Sequence, residues 1–247
     1  MTYKKFYSQF YDLIYSKKNY KKEVSFIINL IKKKNIKVKK ILELGSGTGS
    51  HGRYIKKLGY DIIGVEKSTH MIQISKKKKV NFKIYNFDLK KFRINKKFDL
   101  VLSLFHVINY MTKDIEVTKF FYTANYHLKK GGYFIFDTWH TPGVRNSKPF
   151  KTKKIYSNNN YKIEKKAAPL KISSKIYDII YNFRIFNKIT KFFFSFIEQH
   201  RIRHFTIEDL IKVGEKKGFE FVSSHKQLSM SKPNKYDWGA TLLFKKS

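Results

Sequence analysis

The sequence predicts an α/β fold, a parallel sheet with helices on both faces, on three observations. Strand-like apolar runs alternate with stretches of helical period from residue 39 to residue 140. A glycine-rich turn, ELGSGTGS, closes the first of these strands, and the next two run into the acids Glu66 and Asp88. Parallel neighbours need a crossover, and right-handed crossovers lay helices on both faces, so a ligand belongs outside the carboxyl ends of the strands.

Each element follows from its local pattern. Phe6, Phe10, Leu13 and Ile14, then Val24, Ile27, Ile28 and Ile31, recur at helical spacing, with a break at SKKN, residues 16–19. KKILELG reads as a buried strand ending at Gly45, followed by a helix over residues 50–58. YDIIGVE is a second strand, THMIQISKKKK a helix, and VNFKIYNFD a third strand ending near Asp88. KFDLVLSLFHVI reads as a fourth strand, residues 115–128 as a helix, and KKGGYFIFDTWH as a turn and fifth strand. Beyond Pro142 the segments YKIEKKA, SSKIYDIIYNFRIFNK and TKFFFSFIEQHRIRHF carry strand signals with no helix between them. They predict an inserted antiparallel β-sheet cap. TIEDLIKVGEKKGFEFV then gives a helix stopped by Gly218 and a strand, and WGATLLFKK a last strand. The expected organisation is a core of residues 1–145 and 206–247, with the cap at 146–205.

Composition narrows the function classes. A 42% hydrophobic content with 23 Phe and 17 Tyr is enough for a sizeable core. Lys and Arg number 53 against 18 Asp and Glu, a formal charge of +35. Nearly all of these bases are lysine, in short runs at 32–34, 76–79, 129–130 and 216–217 along the whole chain. That pattern reads as a solvated coat, because arginine is the residue suited to bidentate phosphate and base contacts. Without cysteine there is no disulfide, thiolate metal site or thiol nucleophile. The first 30 residues lack the apolar run of a signal peptide. No stretch approaches the ~18 apolar residues of a membrane span, so a cytoplasmic protein without membrane contact is expected.

Glycine at 45, 47 and 49 lets backbone take positive φ and approach a ligand closely. The spacing is GxGxG. Ser50 stands where a dinucleotide fingerprint would place glycine, and the absence of a following Gly-Lys-Ser/Thr excludes a Walker phosphate loop. A carboxylate at Glu66 suits both hydroxyls of a ribose, and one at Asp88 suits an adenine amino group. With Glu43 on the first strand, three acids on successive strands stand out in a chain poor in acids. No His, Asp and Glu group has metal-ligand spacing, so no metal is expected.

ILELGSGTGSH, GVEKSTHM, NFDLKKF and FDLVLSLFHVINY, in that order and spacing, resemble the class I S-adenosylmethionine-dependent methyltransferases over most of residues 1–140. The resemblance implies a Rossmann-like class I methyltransferase sheet, with S-adenosylmethionine as methyl donor and S-adenosylhomocysteine as product. It implies that the turn of Gly45, Gly47 and Gly49 carries the methionine part and Glu66 the ribose. Met71 would pack near the adenine, with Asp88 and Leu89 at its edge. Glu43, Lys67, Leu104 and Phe105 complete the cofactor positions that the resemblance implies.

A narrower resemblance rests on QFYDLIYSKKNYKKE, LFHVINYMT, FDTWHTP and EQHRIRHF, and covers nearly the whole chain. These stretches are similar to small-molecule methyltransferases that N-methylate nucleotide-linked amino sugars. The resemblance implies that Tyr3, Tyr11 and Tyr20 close over the cofactor, Tyr3 on the substrate side. It implies that Tyr110 lies near the transferred methyl and that His200 and Arg201 face the substrate. His106, at the end of the fourth strand, joins Tyr110 and His200 as a catalytic candidate. Asp137, Trp139 and His140, ending the fifth strand, join Tyr3 and Arg201 as candidate substrate-pocket residues. One departure is Trp238, which stands where those enzymes carry a phosphate-binding arginine.

The expected function is therefore methyl transfer from S-adenosylmethionine to nitrogen or oxygen of a small polar metabolite, a sugar or amino sugar, nucleotide-linked or free. The basic charge keeps open an RNA or protein methyltransferase, although no Asn/Asp-Pro-Pro-Tyr/Phe motif follows the fourth strand. A non-enzymatic polyanion-binding module is the third reading. A small-molecule partner is expected and nucleic acid disfavoured; a homodimer is compatible with the sequence.

Overall fold

The computed structural model describes residues 3–247. Two helices come first, α1 (Lys5–Ile14) and α2 (Tyr20–Lys33). The Asn19 side chain accepts the Lys22 N–H at 2.8 Å and caps α2, which explains why the break at 16–19 ends there. The alternating region runs β1 (Lys40–Leu44), α3 (Ser50–Lys57), β2 (Asp61–Glu66), α4 (Thr69–Lys77), β3 (Lys83–Asn86) and β4 (Phe98–Ser103). A 3-10 turn at Val107–Tyr110, α5 (Asp114–His127) and β5 (Leu128–Trp139) follow. Helix α6 (Thr141–Asn146) leads into β6 (Thr152–Ser157), β7 (Tyr161–Lys171), β8 (Ile176–Asn187) and β9 (Phe193–Arg203). Then come α7 (Ile207–Glu215), β10 (Phe219–Lys226) and β11 (Gly239–Lys246).

The main sheet has seven strands in the order β10-β11-β5-β4-β1-β2-β3. Strands β1 to β5 are parallel, and β11 lies antiparallel between β5 and β10. The order reverses between β1 and β4, and their carboxyl ends open the crevice where α/β sheets bind ligands. Alternation along the strands divides the core. Leu42, Val101, Phe134, Phe136 and Leu242 pack beneath α5 and α7, with Phe120, Phe121 and Leu210. Ile41, Leu100, Leu102, Ile135 and Leu243 pack on the other face against Ile27, Ile31 and Ile55 of α2 and α3. Truncating a fully buried ring such as Phe120 to Ala would cost about 3–5 kcal/mol.

The second sheet, β6-β7-β8-β9, is antiparallel throughout. Helix α1 lies between it and α4: Tyr7, Phe10 and Ile14 join Ile163, Phe183 and Ile185 of the sheet and Met71 of α4 in one buried cluster. The segment leaves and rejoins the core at one point. The Phe205 N–H donates to the Trp139 carbonyl at 3.0 Å and the Thr141 N–H to the Phe205 carbonyl at 2.9 Å, a parallel bridge between His140 and Phe205.

Four local expectations are corrected. The fourth strand ends at Ser103 and not near Ile108, because Phe105 and His106 take φ of 70° and 62°. The third ends at Asn86, which leaves Asp88 in the loop beyond it. The inserted sheet has a fourth strand, β6, on its edge, where the run of lysines masked any alternation. Helix α6, with proline in its first turn, was too short to show a period. Among the described residues no helix is long and apolar enough to cross a membrane.

Candidate functional site

The glycine turn joins β1 to α3 with φ of 79°, 55° and 76° at Gly45, Gly47 and Gly49. A Cβ at Gly45 would stand 2.6 Å from the Val107 side chain, so the turn sits directly against the exit of β4. The N–H groups of Gly45 and Ser46 donate to the Val65 carbonyl at 2.8 and 3.0 Å, which fixes the turn to the neighbouring strand. Thr48 anchors it, donating its hydroxyl proton to Asp12 at 2.8 Å and accepting from Lys78 at 3.1 Å.

Glu66 ends β2 beside this turn. One carboxylate oxygen accepts the Gly47 N–H at 2.9 Å and the other the Ser68 N–H at 2.7 Å. Burial raises the Glu66 pKa, opposed by these backbone donors. Each oxygen keeps a lone pair for a further donor such as a hydroxyl. The Ser68 hydroxyl in turn donates to the Tyr3 carbonyl at 3.1 Å, tying the segment ahead of α1 to the same corner.

A cavity of about 520 Å³ opens here. Its lining contains Tyr3, Tyr11, Tyr20, Gly45, Gly47, Glu66, Lys67, Met71, Asp88, Leu89, Leu104, Phe105, Tyr110 and Arg201 of the expected residues. At one end, Asp88 accepts the Lys90 N–H and an ion pair from Lys67, both at 3.0 Å; burial opposes its charge, but these donors outweigh it and lower the pKa. Met71 is buried and Leu89 nearly so, giving two apolar walls for a flat ring. Tyr20 and Ser46 are part of the lining, and their buried hydroxyls have no hydrogen-bond partner among the described residues. Buried polar groups are ordinarily paired, so these two fit a ligand that carries polar atoms.

At the other end, Phe105 and His106 occupy left-handed backbone, an uncommon conformation for large residues. Asp137 at the end of β5 holds both: its carboxylate accepts the Phe105 N–H at 3.0 Å and the His106 N–H at 2.7 Å. Beyond this corner the Tyr110 hydroxyl is 2.8 Å from the Tyr3 hydroxyl and 2.8 Å from Nδ1 of His200 on β9. Arg201 is clamped by Asp178 through two bonds of 2.7 Å, so its planar fork is held in place at the cavity wall.

Several expected residues lie elsewhere. Glu43 is buried under the turn, its Nδ1 neighbour on His51 3.8 Å away, and burial pushes its pKa up to about 8. Gly49 caps α3 behind the cavity. His106 and Asp137 face each other at 3.6 Å and shape the turn rather than the lining. His200 stands behind Tyr110, 2% exposed. Trp139 lines a second cavity, of about 670 Å³, opposite Trp238, with Tyr15, Lys18, Tyr156 and Lys165 around it. His140 turns away to the Asp237 carbonyl at 3.3 Å, and burial lowers its pKa. Tyr15 stands edge-on to Phe105 at 5.1 Å, so the two aromatic rings partition the cavities.

Ser46, Thr48, His51, Phe87, Thr112 and Glu116 also line the first cavity and were not singled out from sequence. The nearest to a signal was Phe87, the neighbour of the expected acid Asp88, which the structure leaves 48% exposed. Asn109 was silent. It is fully buried, accepts the Trp139 N–H at 3.1 Å and donates to the Arg203 carbonyl at 2.6 Å, which joins the two sheets behind Tyr110.

The architecture is that of class I methyltransferases. A crystal structure of a S-adenosylmethionine-dependent methyltransferase from Clostridium acetobutylicum superposes with TM-score 0.81 at 23% identity, over 98% of each chain. DesVI of Streptomyces venezuelae superposes with TM-score 0.84 at 19% identity, again over 98% of each. In sequence, the dTDP-3-amino-3,4,6-trideoxy-alpha-D-glucopyranose N,N-dimethyltransferase of Streptomyces venezuelae is 28% identical over 134 residues, 53% of this chain and 56% of that protein. The matching region thus spans about half the length of such curated relatives. The profile of the family described as Methyltransferase domain matches residues 15–224, and the chain belongs to that family.

Proposed function

We propose that this protein transfers a methyl group from S-adenosylmethionine to nitrogen of an amino sugar or a related small polar metabolite. The observation that carries the reading is Glu66, whose two oxygens grip Gly47 and Ser68 while lining the cavity at the end of β2. A ribose placed there has a two-point acceptor. The residues fit the donor: the Gly45 and Gly47 backbone for the methionine part, Glu66 for the ribose, Met71 and Leu89 for the faces of the adenine, and Asp88 for its edge. Tyr11, Tyr20, Lys67, Leu104 and Phe105 close the remaining walls. The acceptor class is supported by the Streptomyces venezuelae relative named above as a dTDP-3-amino-3,4,6-trideoxy-alpha-D-glucopyranose N,N-dimethyltransferase, and by Arg201 and Tyr110 in the cavity lining.

When bound, the sulfonium supplies an electrophilic methyl carbon. The chain's part is position and desolvation: Tyr3 and Tyr110 fix the acceptor's approach, and Arg201 orients its polar groups. An amine must arrive unprotonated, which burial favours because desolvation disfavours the ammonium form. Titration calorimetry with S-adenosylmethionine tests the donor site. Binding by the wild type and a loss of at least about tenfold in Glu66→Ala are expected, the cost of one or two hydrogen bonds to a charged group. No binding by the wild type would overturn the reading.

A further inference from the structure

We propose that Tyr110, His200 and Glu198 form a buried relay that takes up the proton released at the acceptor nitrogen, Glu198 acting as its positioning residue. This rests on the methyl-transfer reading above. Tyr110 lines the cavity; its hydroxyl lies 2.8 Å from His200 Nδ1. His200 and Glu198 are 2% and 0% exposed and line neither of the two cavities described above. They stand two apart on β9, which puts both side chains on one face, and Nε2 of the ring lies 3.6 Å from a Glu198 oxygen, an ion-pair distance rather than a hydrogen bond. Among the described residues neither His200 Nε2 nor the other Glu198 oxygen has a hydrogen-bond partner. A ring nitrogen and a carboxylate oxygen left buried without partners cost free energy, and a proton on the ring beside the carboxylate would offset part of that cost.

The surroundings fit that use. Rings of Tyr3, Tyr7 and Tyr181 stand 5.1 Å from the His200 ring, and that of Tyr110 at 5.7 Å. Of the charged groups near it, Glu198 favours its cation and Lys165 opposes it. The Lys4 N–H donates to Glu198 at 3.2 Å and holds the carboxylate in place. Burial lowers the His200 pKa, so the ring rests neutral and able to accept. Burial raises that of Tyr110, so the phenol keeps its proton and passes protons on instead of acting as a base.

The step balances as follows. The acceptor nitrogen's lone pair forms the N–CH3 bond while the S–CH3 bond breaks and leaves its electron pair on sulfur. The new ammonium gives a proton to the Tyr110 oxygen as the phenol proton moves to His200 Nδ1. The imidazolium then rests beside the Glu198 carboxylate, and the nitrogen has recovered a lone pair for another methyl. On product release the proton returns along the same path to water.

The test uses the whole chain labelled with 15N-histidine and bound to S-adenosylhomocysteine, its ring nitrogens followed by NMR from about pH 5 to 9. In the wild type His200 is expected to carry its neutral proton on Nε2. Glu198→Gln is expected to lower the pH at which it charges by about one or more. A neutral proton on Nδ1, or a charging pH that Glu198→Gln does not move, would overturn the relay. If that variant does not fold, Tyr110→Phe decides the same point, since loss of the phenol must shift the Nδ1 resonance; an unmoved resonance overturns the relay. Turnover with dTDP-3-amino-3,6-dideoxy-alpha-D-glucopyranose is measured alongside. A wild type inert toward that sugar counts against the acceptor class alone, because the NMR result stands without turnover.

Discussion

The Asp137 carboxylate accepts the His106 N–H at 2.7 Å and so holds a residue on the neighbouring strand's exit at φ of 62°. Its second oxygen does the same for Phe105 at 3.0 Å. In Asp137→Asn one of the two acceptors becomes an N–H₂ group facing another N–H. We expect a loss of about 1.5–3 kcal/mol in chemical denaturation and a parallel weakening of S-adenosylmethionine binding, because Phe105 is a wall of the donor cavity. Unchanged stability would show that the turn holds its own conformation.

Gly143 on α6 has no room for a side chain: a Cβ would meet the Asp237 carbonyl at 2.1 Å. The opposing atom is backbone and cannot swing aside. Gly143→Ala is expected to destabilise by more than about 2 kcal/mol. Gly59→Ala, with φ of 89° but nothing within 4 Å, pays only for its backbone, about 1 kcal/mol. Melting temperatures of the two variants, measured together, separate contact from conformation.

His127 is fully buried, its Nε2 accepting the Ile94 N–H at 3.2 Å and its Nδ1 donating to the Thr123 carbonyl at 2.9 Å. Burial lowers its pKa from 6.5 to about 4. Between those values the unfolded chain binds more protons than the folded one, so this group's contribution is lost as pH falls through the window. The deficit of His127→Gln relative to wild type is expected to narrow by about 1–2 kcal/mol between pH 7 and pH 5. A constant deficit would mean that the imidazole is not forced to stay neutral.

Glu43 works in the opposite sense. Its pKa rises from 4.5 to about 8, chiefly by burial and then by the charge of Glu66. The folded chain holds a proton there that the unfolded chain has given up, so stability falls as pH rises through that interval. Glu43→Gln is expected to be more stable than wild type above about pH 8, by more than about 1 kcal/mol, and to show no such advantage near about pH 4.5. Denaturant midpoints at the two pH values check this.

The strand-helix alternation, the glycine turn and Glu66 were legible because each is a local statement: a period, a φ requirement, an acid at a strand end. Met71, Asp88 and Leu89 followed from the motif order of the resembled family, and they line one cavity with that turn. What resisted reading was long-range. Trp139 ends β5 and His140 leads into α6, so the first lines a second cavity while the next residue faces the Asp237 carbonyl. Asn109 binds to Trp139 and Arg203 across large separations, and Glu198 gains its place only when β9 folds over Tyr110. Strand β6 was hidden by lysines, whose charge suits a sheet edge but erases the alternation that announces a strand.

The bridge between His140 and Phe205 has a consequence for inheritance and engineering. A segment whose entry and exit lie side by side joins the rest at one seam, so a replacement that keeps the packing surface for α1 leaves the glycine turn and Glu66 outside the exchange. Such a protein can change its customer and keep its reagent. Grafts cut at residues 140 and 205 are the natural place to redirect the chemistry, provided that the new piece supplies its own partner for Asn109.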